Sequence, residues 1–226
     1  MDSEQIIKTI ESCRQQAIVC RALDGAHLDG LFRQNEDNVY YRFLYYLAGA
    51  LKPDLMAELG VCEGRCTAHL AAGWPEGRVL AVDPEYHGML DRNALTVYEN
   101  VDFRQCRSDD EVMLGTVKDR SVGLLFVDSV HNLPHVLTEM RYWLPKMQPG
   151  APVIFDDLDY FWSMANLLDV LPLQHKGRLE GLHVHGFGYA LAEPDVHLEF
   201  ERTGGEELTV TWWRGDGERQ SQRVPG

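Results

Sequence analysis

The chain has 226 residues, 45% of them hydrophobic and 25% charged, enough to enclose one large core. Its formal net charge of -14, from 35 acidic against 21 basic residues, argues against the basic face on which nucleic-acid binders depend. The opening MDSEQIIKTI lacks the basic region and apolar run of a signal peptide, and no stretch approaches the roughly 20 apolar residues that span a bilayer, so the expectation is a soluble cytoplasmic protein with no membrane partner.

In chain order, SEQIIKTIESCRQQAIVCRAL (residues 3–23) sets Ile6, Ile7, Ile10, Ala17, Ile18 and Leu23 at helical spacing behind Ser3 as the capping residue. A second helix is read over DNVYYRFLYYLAGAL (37–51), with Tyr40, Tyr41, Tyr45 and Tyr46 as core and interface residues. Short apolar runs then alternate with helical segments: DLMAEL (54–59), RVLAVD (78–83), VDFRQC (101–106), VGLLFVD (122–128) and PVIFDD (152–157). Such alternation implies parallel strands with crossover helices, an α/β fold of three layers, α/β/α and Rossmann-like. GFGYALAE and ELTVTWW leave no room for a long helix between them and read as an antiparallel pair finishing the sheet, while RGDGERQSQRVPG reads as a frayed tail. The organisation expected is a helical cap over 1–52, the main domain over 53–213 and a tail over 214–226. The cap helices are where a pocket is covered or a homo-oligomer contact made. Cys13, Cys20, Cys62, Cys66 and Cys106 are odd in number and lack a second pair at zinc spacing, which favours reduced structural thiols.

In open parallel sheets the ligand crevice lies beyond the carboxyl ends of the strands. At the first such end, AELGVCEGRC (57–66), Glu58 closes the strand, Gly60 opens a turn and Gly64 lets the next helix pack close. The turn lacks the third glycine of the dinucleotide fingerprint and the Gly-Lys-Ser/Thr of a P-loop, which disfavours a nicotinamide dehydrogenase. At the next strand end stands Asp83, where an acid can take both hydroxyls of a ribose. Together these residues resemble the cofactor half of the class I S-adenosylmethionine-dependent methyltransferases, over residues 54 to 190, with a mostly parallel seven-stranded sheet and an antiparallel strand toward the C-terminus. The resemblance implies S-adenosylmethionine as cofactor. It implies Glu58, Gly60 and Gly64 near the methionine moiety, Asp83 on the ribose, and Ser108 and Asp109 near adenine, with Asp128 also counted among the cofactor residues.

Two further strand ends are polar. Asp128 closes the fourth strand and the adjacent Asp156 and Asp157 close the fifth; if the two strands are neighbours, about 4.8 Å apart, the three carboxylates converge. Magnesium takes such hard oxygen ligands and keeps other positions for water or substrate. The segment FVDSVHNLPHVLTEMRYWLPKMQPGAPVIFDDLDY (126–160) resembles the magnesium-dependent small-molecule O-methyltransferases, in the branch of the macrocin- and novobiocin-type sugar O-methyltransferases and cephalosporin-biosynthesis relatives. It departs from them at Asn132-Leu133, where Ser-Tyr is common, and at Ala151, where a second glycine is common. The resemblance implies Asp128, Asp156 and Asp157 as magnesium ligands and His131 as general base, in methyl transfer to a hydroxyl of a sugar, phenol or natural product. The structural alternatives are Asp157 or Asp159 capping a helix near Phe161 and Asp156 hydrated in the crevice. Adjacent strand residues face opposite ways, so both aspartates reach one ion only if the strand has broken by Asp156. His135 is read as packing or surface; His183 and His185 alternate as on a strand and could bind a metal, but with no third ligand evident they are read as a surface-facing strand pair; Tyr160, Phe161 and Trp162 are read as a substrate wall or core. The competing functions are a metal-free N- or C-methyltransferase and a cofactor-binding interaction module without turnover.

Overall fold

A computed structural model describes residues 1–20, 39–87, 95–160, 164–204 and 207–225. Helix α1 (Ser3–Val19) starts one residue earlier than the sequence suggests, because the Asp2 side chain accepts the Gln5 amide at 2.8 Å and is the cap, leaving Ser3 as the first helical residue. Its buried stripe is Ile6, Ile10, Cys13 and Ala17, whereas Ile18 is exposed and Leu23 lies outside the described residues. Helix α2 (Val39–Leu51) is apolar nearly all round and buries Tyr40, Tyr41, Phe43, Leu44, Leu47 and Ala48.

The strands are β1 (Leu55–Leu59), β2 (Arg78–Asp83), β3 (Val101–Gln105), β4 (Leu124–Val127), β5 (Pro152–Phe155), β6 (Lys176–Arg178) and β7 (Gly188–Leu191). They form one seven-stranded sheet in the order β3-β2-β1-β4-β5-β7-β6. The first five are parallel, and β7 runs antiparallel to both β5 and β6. The central strands are apolar on both sides because helices cover both faces. Met56, Leu124, Phe126 and Ile154 point to a core shared with α1, α2 and helix α3 (Arg65–Gly73). Ala57, Leu125, Val127, Val153 and Phe155 point the other way, toward α4 (Glu111–Thr116) and α5 (Leu133–Trp143). Among the described residues the N-terminal helices therefore pack as a layer on the sheet and share a core with it.

The C-terminal expectation is only half met. GFGYALAE supplies β7, but both edges of β7 are taken by β5 and β6, so ELTVTWW cannot join it. Instead β8 (Val196–Gly204), β9 (Glu207–Arg214) and β10 (Gln220–Pro225) make a separate antiparallel sheet in the order β10-β9-β8. Leu198, Leu208 and Val210 bury its apolar face against the α5 side of the core. The stretch expected to fray is β10, paired with β9 from Gln220↔Trp212 to Pro225↔Glu207. Removing residues 218–226 should lower the thermal midpoint by about 5 °C, the worth of roughly 2 kcal/mol of cross-strand pairing, in a calorimetric melt. An unchanged midpoint would return these residues to the status of a loose tail.

Candidate active site

The turn after β1 is built around conformations that side chains resist. Gly60 has φ +85°, and a Cβ there would lie 2.0 Å from the Asp128 carbonyl oxygen, so the turn passes directly over the end of β4. Gly64 supplies φ +74° as the residue before α3, and this left-handed start is the role the structure displays for it. Asp83 braces the same turn. Its Oδ2 accepts the Val61 and Cys62 amides at 2.8 and 3.0 Å, and its Oδ1 accepts the Glu85 amide at 2.8 Å. Glu58 is 1% exposed, with one oxygen accepting the Thr67 hydroxyl from α3 and Oε1 without a hydrogen-bond partner among the described residues. Burial outweighs the Thr67 hydrogen bond and pushes its carboxyl up to about 8.

Ser108 and Asp109 are held by contacts within the protein. The buried Ser108 hydroxyl donates to Glu139 Oε1 at 2.6 Å and its carbonyl accepts the Trp143 indole N–H at 2.9 Å, while Asp109 accepts a two-pronged contact from Arg107. Glu139, fully buried on α5, also accepts the Ser129 hydroxyl at 2.8 Å and meets His135 Nε2 at 3.2 Å. His135 is thus a member of a buried polar network.

The carboxylates of β4 and β5 do converge, since the two strands are hydrogen-bonded neighbours and the Asp156 amide still donates to the Val127 carbonyl. The ladder ends at Phe155, and Asp157 turns into the left-handed region at φ +56°, so the break needed to bring both aspartates to one side is present. Asp157 caps no described helix; Asp159 is held by Arg178 at 2.8 and 2.9 Å. His131 precedes α5, whose cap is Asn132, and its Nε2 lies 3.2 Å from Asp157 Oδ2. Asp128, His131 and Asp157 offer ligand atoms within 4.8 Å of one another. Asp157 Oδ1 is buried without a hydrogen-bond partner among the described residues. Burial and then the Asp156 and Asp157 charges hold the Asp128 carboxyl well above the usual range. Burial and Asp156 also raise Asp157, against the pull of His131, His183 and His185. An orphaned oxygen beside two carboxyls that resist ionising together is a donor set that would suit a dication.

One member of this cluster, His183, is set aside by the sequence reading in favour of a surface-facing strand pair. LHVHG is a turn between β6 and β7 rather than a strand, and it aims His183 Nδ1 at Asp156 Oδ1, 2.7 Å away, and at Asp157 Oδ1, 3.4 Å away. The Leu158 and Asp159 amides donate to the Gly186 and His185 carbonyls and lock the turn in place. Only the pairing of β7 beside β5 brings residue 183 near residue 156; the one local signal was a histidine beside a glycine-flanked turn. The Tyr40 ring packs 4.8 Å from His183, and Tyr160, half exposed, sits 5.8 Å from His131. Phe161 and Trp162 lie outside the described residues. The cysteines are thiols outside any disulfide, and burial raises the Cys66 thiol well above its ordinary value, as suits an inert structural residue.

Residues 57–158, the stretch holding both strand-end clusters, match a family model described as a methyltransferase domain. Over that stretch the chain is similar to this family. No curated protein matches it in sequence. Among solved structures, the methyltransferase fold is shared with an O-methyltransferase from Bacillus cereus in complex with SAH, at 16% identity and TM-score 0.61, covering 83% of this chain and 100% of that one. It is shared with the O-methyltransferase TomG from Streptomyces achromogenes, involved in tomaymycin synthesis and bound to SAM, at 16% identity and TM-score 0.58, covering 85% and 99%. The SAH-bound methyltransferase PaMTH1 from Podospora anserina gives 12% identity and TM-score 0.56, covering 85% and 97%. The resemblance to the class I methyltransferases read from the sequence therefore holds for the fold. No helix of the described residues is long and apolar enough to cross a membrane.

Two outcomes follow from the geometry of this domain. Glu58 binds its proton more tightly folded than unfolded, so its contribution to stability is full below about pH 4.5 and is lost as pH rises through about 8. Glu58→Gln should accordingly raise the thermal midpoint by about 5 °C at pH 9 and leave it nearly unchanged at pH 4, in melts of cofactor-free protein. Gly60→Ala should cost about 3 kcal/mol or more in urea unfolding, because both its φ and the Asp128 carbonyl oppose a Cβ; a loss under about 0.5 kcal/mol would mean that the turn relaxes freely.

Proposed function

We propose that the protein is an S-adenosylmethionine-dependent O-methyltransferase acting on a small-molecule hydroxyl, with a divalent cation held by Asp128, Asp156 and Asp157. The observation that carries the reading is the meeting of Asp128 and Asp157 with His131, and of Asp156 and Asp157 with His183, at the ends of β4 and β5, directly beneath the Gly60 turn. The O-methyltransferases of similar fold, solved with SAM or SAH, support the cofactor and the reaction class. Magnesium is the ion expected from the oxygen donors, and when bound it supplies positive charge that makes an acceptor hydroxyl easier to deprotonate.

The protein residues divide the remaining work. His131 Nε2 lies 3.2 Å from Asp157 Oδ2, a contact that would orient the ring with Nε2 protonated and turn Nδ1 to the acceptor's proton. Asp157 Oδ1 stays available on the cation side. Glu58 Oε1, buried and unpartnered, is suited to the ammonium of the methionine moiety, and Asp83 holds the turn that receives it. Tyr160 and the α2 residue Tyr40 flank the acceptor space. The net charge of -14 suits a small-molecule acceptor over a nucleic acid.

A metal-free N- or C-methyltransferase is the second reading, favoured by the His183–Asp156 contact at 2.7 Å, which balances one carboxylate without an ion. Calorimetric titration separates them. Wild type should bind S-adenosylmethionine and magnesium, and the Asp156→Ala, Asp157→Ala double variant should keep the cofactor and lose the cation. Magnesium that never binds, even with cofactor present, would move the metal-free reading ahead. In the same protein His131→Ala should lower kcat by about 10²–10⁴-fold with cofactor affinity retained, measured on a hydroxylated acceptor panel.

A further inference from the structure

The metal reading of Asp128, Asp156 and Asp157 leaves His183 unexplained. Its Nδ1 meets Oδ1 of both Asp156 and Asp157, at 2.7 and 3.4 Å, and the three residues form a cluster whose ligand atoms lie within 4.8 Å of one another. The second cluster, Asp128, His131 and Asp157, shares Asp157 with it. Ligand atoms about 2.1 Å from an octahedral ion sit about 3.0 Å apart when they are at right angles, and the His183 distances bracket that spacing. Asp157 Oδ1 is buried and without a hydrogen-bond partner among the described residues, and it lies 3.4 Å from this imidazole nitrogen.

The ring is held for the purpose. Its turn is tied to the segment after Asp157 by Leu158 N–H to the Gly186 carbonyl and Asp159 N–H to the His185 carbonyl, and Asp159 is gripped by Arg178 on β6. Gly186 adopts φ +86°, and a Cβ there would strike the Asp159 carboxylate at 2.3 Å, so the turn packs tightly against the Asp159 side chain. The Tyr40 ring packs against His183 from the α2 side and His185 stands perpendicular to it at 5.3 Å. A side chain so enclosed, only 15% exposed, points at the carboxylates with little freedom to leave.

We propose that His183 is a nitrogen ligand of this centre and shifts its preference from magnesium toward a first-row transition dication. The inference rests on the metal reading above. Three carboxylates alone suit magnesium or manganese, whereas an imidazole added to them favours manganese, iron(II), cobalt or zinc, whose affinity for nitrogen rises along the series. Asp156 and Asp157 then contribute oxygens, His183 contributes Nδ1, and Asp128 approaches from the neighbouring strand.

The test uses full-length protein stripped by a chelator and titrated with Mg²⁺ and with Co²⁺, read by calorimetry and by the visible absorption of cobalt. His183→Gln should weaken Co²⁺ binding by about tenfold or more and change the cobalt spectrum, while Mg²⁺ affinity moves by less than about threefold. His183→Gly should regain the cobalt spectrum on adding imidazole. Manganese-loaded protein should show coordinated-nitrogen modulation in spin-echo resonance, retained in His131→Ala, a readout that holds even if the His183 variants fold poorly. Co²⁺ binding and spectrum unchanged by His183→Gln, or no nitrogen modulation in the manganese form, would overturn the ligand and leave the carboxylate centre standing. No binding of either cation by wild type would overturn the metal reading itself.

Discussion

Four carboxylates stand at the ends of four neighbouring parallel strands, and the rest of the molecule is arranged around the cost of burying them together. Asp83, Glu58, Asp128 and Asp156 follow the order β2-β1-β4-β5, so the sheet itself lines them up. Each has a different answer to desolvation. Asp83 takes three backbone amides, Glu58 holds its proton to about pH 8, and Asp156 meets an imidazole. Asp128 is left with burial and repulsion, its carboxyl held well above the usual range. Asp128, between Glu58 and Asp156 in the strand order, is thus the least compensated of the four.

The scaffold earns its rigidity from both faces. On one, α1 and α2 pack over the sheet and deliver Tyr40 to the ring of His183. On the other, Glu139 inside α5 ties the loop after β3, through Ser108, to the loop after β4, through Ser129. A buried carboxylate satisfied by two hydroxyls and an imidazole is a strong positional clamp, because any displacement strands it without partners. The crevice is thus bounded by elements that cannot shift independently, as a site needing close alignment of two substrates demands.

Much of this was legible in the residues. Five apolar runs of strand length, separated by helical segments, dictate parallel strands, and the polar residues at their carboxyl ends mark the crevice, since a buried strand tolerates charge only where it emerges. Gly60 with φ +85° and the adjacent pair Asp156 and Asp157 after PVIF were readable because local chemistry leaves few alternatives. The β10 strand was not readable, since QSQRVP carries no apolar pattern and is ordered by the edge of β9.

What the sequence alone determined was the class of fold and the strand ends where chemistry gathers, because hydrophobic period and turn-forming residues act over a few positions. Only the tertiary structure decided that Ser108 serves Glu139, that N-terminal helices form a layer of the core, and that His183 meets residues 27 positions away. Those outcomes depend on which strand lies beside which. Strand order is set by the packing of whole layers, a sum over distant contacts that no local window of residues contains.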